Sequence, residues 1–155
     1  MSEHLAQVIE AAAFDENDID SGTACFCGTI ALAMKSAFNE SELGLIVLND
    51  AHGHPAVAED GQYYWRHAVV IVEDKLYDIE GEVLLEHLIE NYCWNNSKGK
   101  GGALVEVAED VFLAHIDDAK GSLDPVYLEN WSNKLIAAKH ETISECGKCE
   151  PVMRF

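Results

Sequence analysis

Leu5, Val8, Ile9 and Ala12 recur at three- and four-residue steps with Gln7 and Glu10 between them, a spacing that predicts a short amphipathic helix over 2–14. The next stretch, Asp15-Glu16-Asn17-Asp18-Ile19-Asp20-Ser21-Gly22, is acidic and reads as a solvated loop. It is a calcium loop in composition only, because Ile19 breaks the alternation of oxygen ligands and no Glu stands at the twelfth position. From 27 to 38 the residues Ile30, Leu32, Ala33, Met34, Ala37 and Phe38 make most sides apolar, the pattern of a helix buried in a core.

Leu45-Ile46-Val47-Leu48 reads as a strand, followed by a loop with His52-Gly53-His54-Pro55 and Asp60-Gly61. Tyr63 to Val72 is aromatic and β-branched, Glu73-Asp74 supplies a two-residue turn, and Lys75 to Glu80 returns, which predicts a β-hairpin. Past Gly81, the residues Val83, Leu84, Leu88, Ile89 and Tyr92 mark a helix to about Trp94. Ser97-Lys98-Gly99-Lys100-Gly101-Gly102 reads as a flexible loop, 103–107 as a strand and 109–116 as a short helix. Ser122-Leu123-Asp124-Pro125 offers an N-cap and an early proline before a long helix to about Ile143, and the residues from about 144 read as a flexible tail. No repeat or linker divides the chain, so the expectation is a single α+β domain over 1–155.

Charge narrows the function. Ten Lys and Arg face 28 Asp and Glu in 155 residues, a net charge of -18 that repels phosphate backbones and anionic headgroups. Direct nucleic-acid binding and a membrane location lose support, and a macromolecular partner, if there is one, is expected to be a basic protein. No basic N-terminal region leads into an apolar core, and the odd set of Cys25, Cys27, Cys93, Cys146 and Cys149 suits free thiols in a reducing compartment. The expected location is the cytoplasm.

The remaining signal is chemical. A nucleophilic thiol needs a base within hydrogen-bond reach and a third group that fixes the base. Cys27 stands at the start of the buried helix, where unpaired N–H groups and the helix dipole favour thiolate and could hold an oxyanion. His67 opens a rigid strand. With a Glu73-Asp74 turn, Val72 faces Lys75, which places Val69 opposite Asp78 and His67 opposite Glu80. Asp78, diagonal to His67, is favoured as the third member, with Glu80 open as the alternative. Cys25, one residue from Cys27, stays open as the alternative nucleophile, with Cys27 favoured because it directly precedes Gly28 and the apolar helix.

The words Ala24-Cys25-Phe26-Cys27-Gly28-Thr29-Ile30-Ala31-Leu32, Trp65-Arg66-His67-Ala68-Val69-Val70 and Leu76-Tyr77-Asp78-Ile79-Glu80-Gly81 give the order Cys, His, Asp. That order resembles the papain-like and transglutaminase-like cysteine hydrolase superfamily, in particular its small bacterial and phage proteins. The resemblance implies a papain-like core, with the Cys-bearing helix packed on a small antiparallel sheet. It also implies attack of a Cys27 thiolate on the acyl carbon of a peptide or amide substrate, with His67 as base and then acid and Asp78 orienting it. No Gln or Asn stands a few residues before Cys27 to complete an oxyanion hole; Asn17 is a weak candidate and Gln7 lies too far away to assign.

Trp65, with Tyr63 and Tyr64, could line a substrate cleft beside His67, although such aromatics more often pack across strands. Cys146-Gly147-Lys148-Cys149 has the spacing of a zinc knuckle, but a second such pair or a well-spaced His pair is missing, so no metal and no cofactor are expected. The leading expectation is a cysteine peptidase or amidase, or an acyl transferase, working through a thioester. The rival is a non-catalytic acidic binding or regulatory protein on the same scaffold. Convergence of residues 27, 67 and 78 in an open cleft would make chemistry the default reading.

Overall fold

The computed structural model describes the backbone of 2–24, 26–118 and 123–153, and the side chains of 4–24, 26–117 and 123–142. Glu73 and Asp74 both take positive φ, 52° and 66°, the pair of left-handed conformations that a tight two-residue hairpin turn demands. The chain therefore reverses there with Val72 opposite Lys75, joining β2 (Trp65–Val72) to β3 (Lys75–Asp78). On its other side β2 pairs antiparallel with β1 (Glu42–Leu48), which pairs with β5 (Gly102–Val107). The hairpin, the strand around 45–48 and the strand over 103–107 agree with the sequence pattern.

A short strand β4 (Gly81–Val83) completes an antiparallel sheet of order β4-β3-β2-β1-β5. The sequence reading starts a helix at Val83, but Gly81 takes φ 106° and turns the chain back so that Val83 lies opposite Leu76. The helix α4 then begins at Leu85 and ends at Tyr92.

One face of the sheet carries the larger core. Leu43, Leu45, Val47, Ala68, Val70, Val72 and Tyr77 project towards α1 (Ser2–Ala12), α3 (Cys27–Ala37), α5 (Glu109–Asp118) and α6 (Pro125–Met153). The stripes foreseen on α1 and α3 are those buried here: Leu5, Val8, Ile30, Ala33 and Met34 have no exposed surface. The opposite face is smaller, with Ile46, Leu48, Val69 and Leu76 packed under Leu88 of α4 and Cys93. Mixed helix and strand around one antiparallel sheet make this an α+β fold.

Two segments depart from the sequence reading in ways that bear on the site. The acidic stretch expected as a loop is a helix, α2 (Glu16–Thr23). Asp15 caps it by accepting the Asp18 backbone N–H at 2.8 Å, while Asp18 returns the favour to the Asp15 N–H at 3.3 Å. The Asp18 carboxylate also takes the Trp131 indole N–H at 3.1 Å and the Lys134 ammonium at 2.7 Å, so the acids that suggested a solvated loop tie α2 to α6. The long helix expected to end at about Ile143 is α6, which Asp124 caps through the Val126 and Tyr127 N–H groups and which runs on to Met153.

The loop around 97–101, expected to be flexible, is tied in place. The Asn96 amide donates to the carbonyls of Asn49 and Gly101 and accepts from the N–H groups of Lys98 and Gly99. Gly99 is pressed on the backbone of Asp50, where a Cβ would come within 2.2 Å.

Candidate active site

Cys27 is the first residue of α3, and no side chain caps the helix there. What fixes this start is packing. Phe26 lies 5.0 Å from the Tyr127 ring, Tyr127 stacks at 4.6 Å on Trp131, and the Phe26 N–H bonds to the Ser21 carbonyl at 2.9 Å. On the other side Gly28 admits Ile116 of α5: a Cβ at residue 28 would lie 2.6 Å from its Cγ2. The word Cys27-Gly28 is thus a close helix–helix approach as well as a thiol at a helix start.

His67 reaches the site through a bulge. Ile46 faces His67 and Val47 faces Trp65, so Arg66 is the extra residue. Trp65 consequently packs with the larger core, whereas the His67 ring stacks on Tyr92 of α4. The expectation that Trp65 lines a cleft beside His67 is not met. Trp65 lies instead against a cavity of about 290 Å³ shared with Tyr63, Tyr64 and His115. The Tyr63 N–H donates to His115 Nε2 at 2.9 Å, which fixes that histidine structurally.

The ladder of β2 and β3 carries the expected register as far as Val70 opposite Tyr77, which puts Asp78 diagonal to His67. Asp78 Oδ2 lies 2.9 Å from His67 Nε2, and Asp78 Oδ1 accepts the Glu80 N–H at 2.8 Å. Both carboxylate oxygens are used, so the acid is fixed on the ring. Glu80, the alternative, is exposed and contributes its backbone instead.

His67 Nδ1 makes no hydrogen bond although it is buried. The Cys27 side chain lies near enough to the ring to favour its charge. Burial pulls the His67 pKa down, but the Asp78 hydrogen bond, the adjoining Cys27 sulfur and the Asp78 charge together outweigh it and lift the value to about 9. Cys27, His67 and Asp78 are therefore brought together as the sequence reading required.

They do not converge in an open cleft. Cys27 and Asp78 are each 2% exposed and His67 is fully buried. Tyr92 supplies the cover, its ring centroid 4.1 Å from that of His67 and the planes 8° apart. Its hydroxyl donates to the Thr23 carbonyl at 3.3 Å, and burial, with Asp78, Cys27 and Glu80 nearby, pushes its pKa up to about 12. Tyr92 also lines a cavity of about 380 Å³, together with Asp78, Glu80, His87 and Asn91. Sequence reasoning missed Tyr92 because an aromatic at helical spacing beside Leu88 and Ile89 has the signature of core packing.

Asn17 and Gln7, weighed for an oxyanion hole, are exposed on α2 and α1, whereas Cys27 is buried. His52 and His54 are exposed on a loop that Asp50 shapes by accepting both their backbone N–H groups. Cys93 is buried with its thiol 3.8 Å from the Val47 carbonyl, and burial raises its pKa. Cys25 and the side chains of Cys146 and Cys149 lie outside the described residues. Among the described residues no cluster of His, Cys, Asp and Glu is placed to hold a metal ion, and no helix is long and apolar enough to cross a membrane. No protein-family model, curated protein or solved structure matches the chain.

Proposed function

We propose that the chain is a cysteine-dependent acyl-transfer enzyme on a papain-like core, hydrolysing or transferring the acyl group of a peptide, amide or isopeptide through a thioester on Cys27. The observation that carries this reading is the His67 imidazole: one nitrogen is held by a doubly bonded carboxylate, the other is buried and unbonded, and the ring lies near a thiol at a helix start.

In this reading the Cys27 proton passes to His67 Nδ1 as the sulfur bonds to the acyl carbon. The oxyanion is held by N–H groups of the uncapped first turn of α3. The C–N bond then breaks and His67 gives its proton to the leaving nitrogen, leaving a thioester. For hydrolysis, His67 removes a proton from water, the new C–O bond replaces C–S, and the proton returns to the sulfur. A ring with a pKa of about 9 is charged at neutral pH, so the proton shared by the pair rests on His67 until the leaving nitrogen takes it. Because Cys27 and His67 are covered, the cycle includes displacement of Tyr92 to admit the acyl group.

The test is a reaction with p-nitrophenyl acetate followed by mass spectrometry. The expected result is a burst of nitrophenolate with one acetyl group on the peptide containing Cys27, lost in Cys27→Ser and His67→Ala. Acetylation spread over lysines and unchanged in both variants would remove the proposal.

A second reading keeps the scaffold and drops the chemistry. The covered thiol, together with the net charge of -18, favours an acidic binding protein for a basic partner. In that case the thioester does not form even in variants that uncover His67.

A further inference from the structure

Between α1, α2 and the turn that joins β3 to β4 lies a groove of about 610 Å³. Ile9, Phe14, Ile19 and Ile79 give it an apolar floor, and Glu10, Glu80 and Glu82, all exposed, line it with carboxylates. Among the described residues the only cation paired with these three is Lys75, 3.9 Å from Glu82, and both partners of that pair are nearly half exposed. The groove falls within the range of ligand pockets, about 300–1,000 Å³.

We propose that this groove receives a lysine- or arginine-bearing peptide segment. A long cationic side chain has two parts, an aliphatic stem and a charged head. The isoleucines and Phe14 suit the stem, and the surrounding glutamates suit the head. A peptide with acidic side chains meets like charge here, in a chain already at -18.

Location connects the groove to the site. Its wall begins at Ile79, one residue after Asp78, and the Glu80 N–H bonds to the Asp78 carboxylate. Glu80 and Glu82 also line the cavity that Tyr92 borders. A peptide seated by its cationic side chain therefore has its neighbouring residues beside the cover of the Cys27–His67 pair. That the peptide is a substrate rests on the acyl-transfer reading; that it binds does not.

The full chain is titrated into a fluorescein-labelled peptide alternating leucine and lysine, and into its counterpart with glutamate in place of lysine, with anisotropy as the readout. The lysine peptide is expected to bind and the glutamate peptide not. Glu10→Gln combined with Glu82→Gln should weaken binding about five-fold, the size expected for two exposed charge contacts. Glu129→Gln combined with Glu141→Gln, which removes the same charge from the exposed side of α6, should change it by less than about two-fold. Cys27→Ser should bind as the unaltered chain does. Equal weakening by both pairs, or none by the groove pair, would overturn the inference. If the groove pair discriminates but no thioester forms, the peptide site stands and the acyl-transfer reading falls; the reverse result removes the peptide site and leaves the chemistry.

Discussion

The rings of His67 and Tyr92 lie face to face, 4.1 Å between centroids and 8° from parallel, and Tyr92 also lines a cavity of about 380 Å³. An aromatic face covers the ring from water, while Asp78 and Cys27 keep its pKa raised in the closed site.

Tyr92→Ala should therefore open the site and loosen it together. Removing a half-buried ring costs about 2 kcal/mol, below the range for fully buried aromatics. Modification of Cys27 by iodoacetamide should accelerate, since the covering ring is gone. Tyr92→Phe keeps the stack and loses only the hydroxyl bond to Thr23, so its rate should stay near that of the unaltered chain. Mass spectrometry of the Cys27 peptide against time measures both. Equal rates for all three proteins would mean that another element covers the thiol.

His67 should titrate near pH 9 when its ring carbons are followed by NMR, and at lower pH in Cys27→Ser and in Asp78→Asn, since each change removes one of the groups that favour the charged ring. The same shift governs stability. A folded-state pKa raised from 6.5 to about 9 contributes stability that is complete below about pH 6.5 and is lost as pH rises through 9, on the order of 3 kcal/mol. Urea unfolding at about pH 6 and about pH 9 should reveal the decline in the unaltered chain and a flatter profile in His67→Gln. A His67 that titrates near its ordinary value would separate the ring from the thiol.

Residues near one another in sequence made the hairpin legible. Glu73-Asp74 set the turn, the turn set the register, and the register put Asp78 diagonal to His67 without any knowledge of the rest of the chain. The face reached by Trp65 was not legible, because one extra residue at Arg66 inverts the alternation that a strand pattern assumes. The acidic stretch after α1 was misread for a related reason. Its helix depends on Asp18 being held by Trp131 and Lys134, more than a hundred residues away. The cover over His67 likewise comes from α4, whose aromatic carries no mark in sequence that separates a lid from a core residue. The approach of Cys27 to His67 was an inference from residue types, since no local pattern fixes the distance between a helix start and a strand.

Gly28 supplies a test of how tightly Cys27 is placed. Adding a methyl at residue 28 sets it 2.6 Å from Ile116 Cγ2 and 3.1 Å from Cβ, so α3 and α5 must part. Gly28→Ala should cost about 1–3 kcal/mol, as overpacking does, despite its better helix propensity. Ile116→Ala alone leaves a cavity and costs about 2–4 kcal/mol. The double variant should be more stable than the sum of the two, because the removed Cγ2 is the atom that the new methyl meets. Thermal unfolding of the four proteins gives the coupling, and simple additivity would place the Gly28–Ile116 contact elsewhere.

Asp18 joins the acidic helix α2 to α6, and its removal should be felt at the Cys27 end of α3. Burial raises its pKa, yet the Lys134 and Trp131 hydrogen bonds outweigh that, so its carboxylate stays ionised below the usual range. A depressed pKa contributes stability that is present above the unfolded value and is lost as pH falls through the folded one. Asp18→Ala removes one half of the cap on α2 and leaves the Trp131 N–H without its acceptor, which together cost about 2 kcal/mol. Asp15→Ala removes the other half and spares Trp131, so about 1 kcal/mol is expected. Because α2 presents Thr23 to Tyr92 and Ile19 to the acidic groove, both variants should also speed exchange of amides over 16–23. Hydrogen exchange read by mass spectrometry distinguishes a frayed α2 from general destabilisation. Faster exchange throughout α1 and α6 to the same degree would show that Asp18 supports the whole helical layer rather than the junction before Cys27.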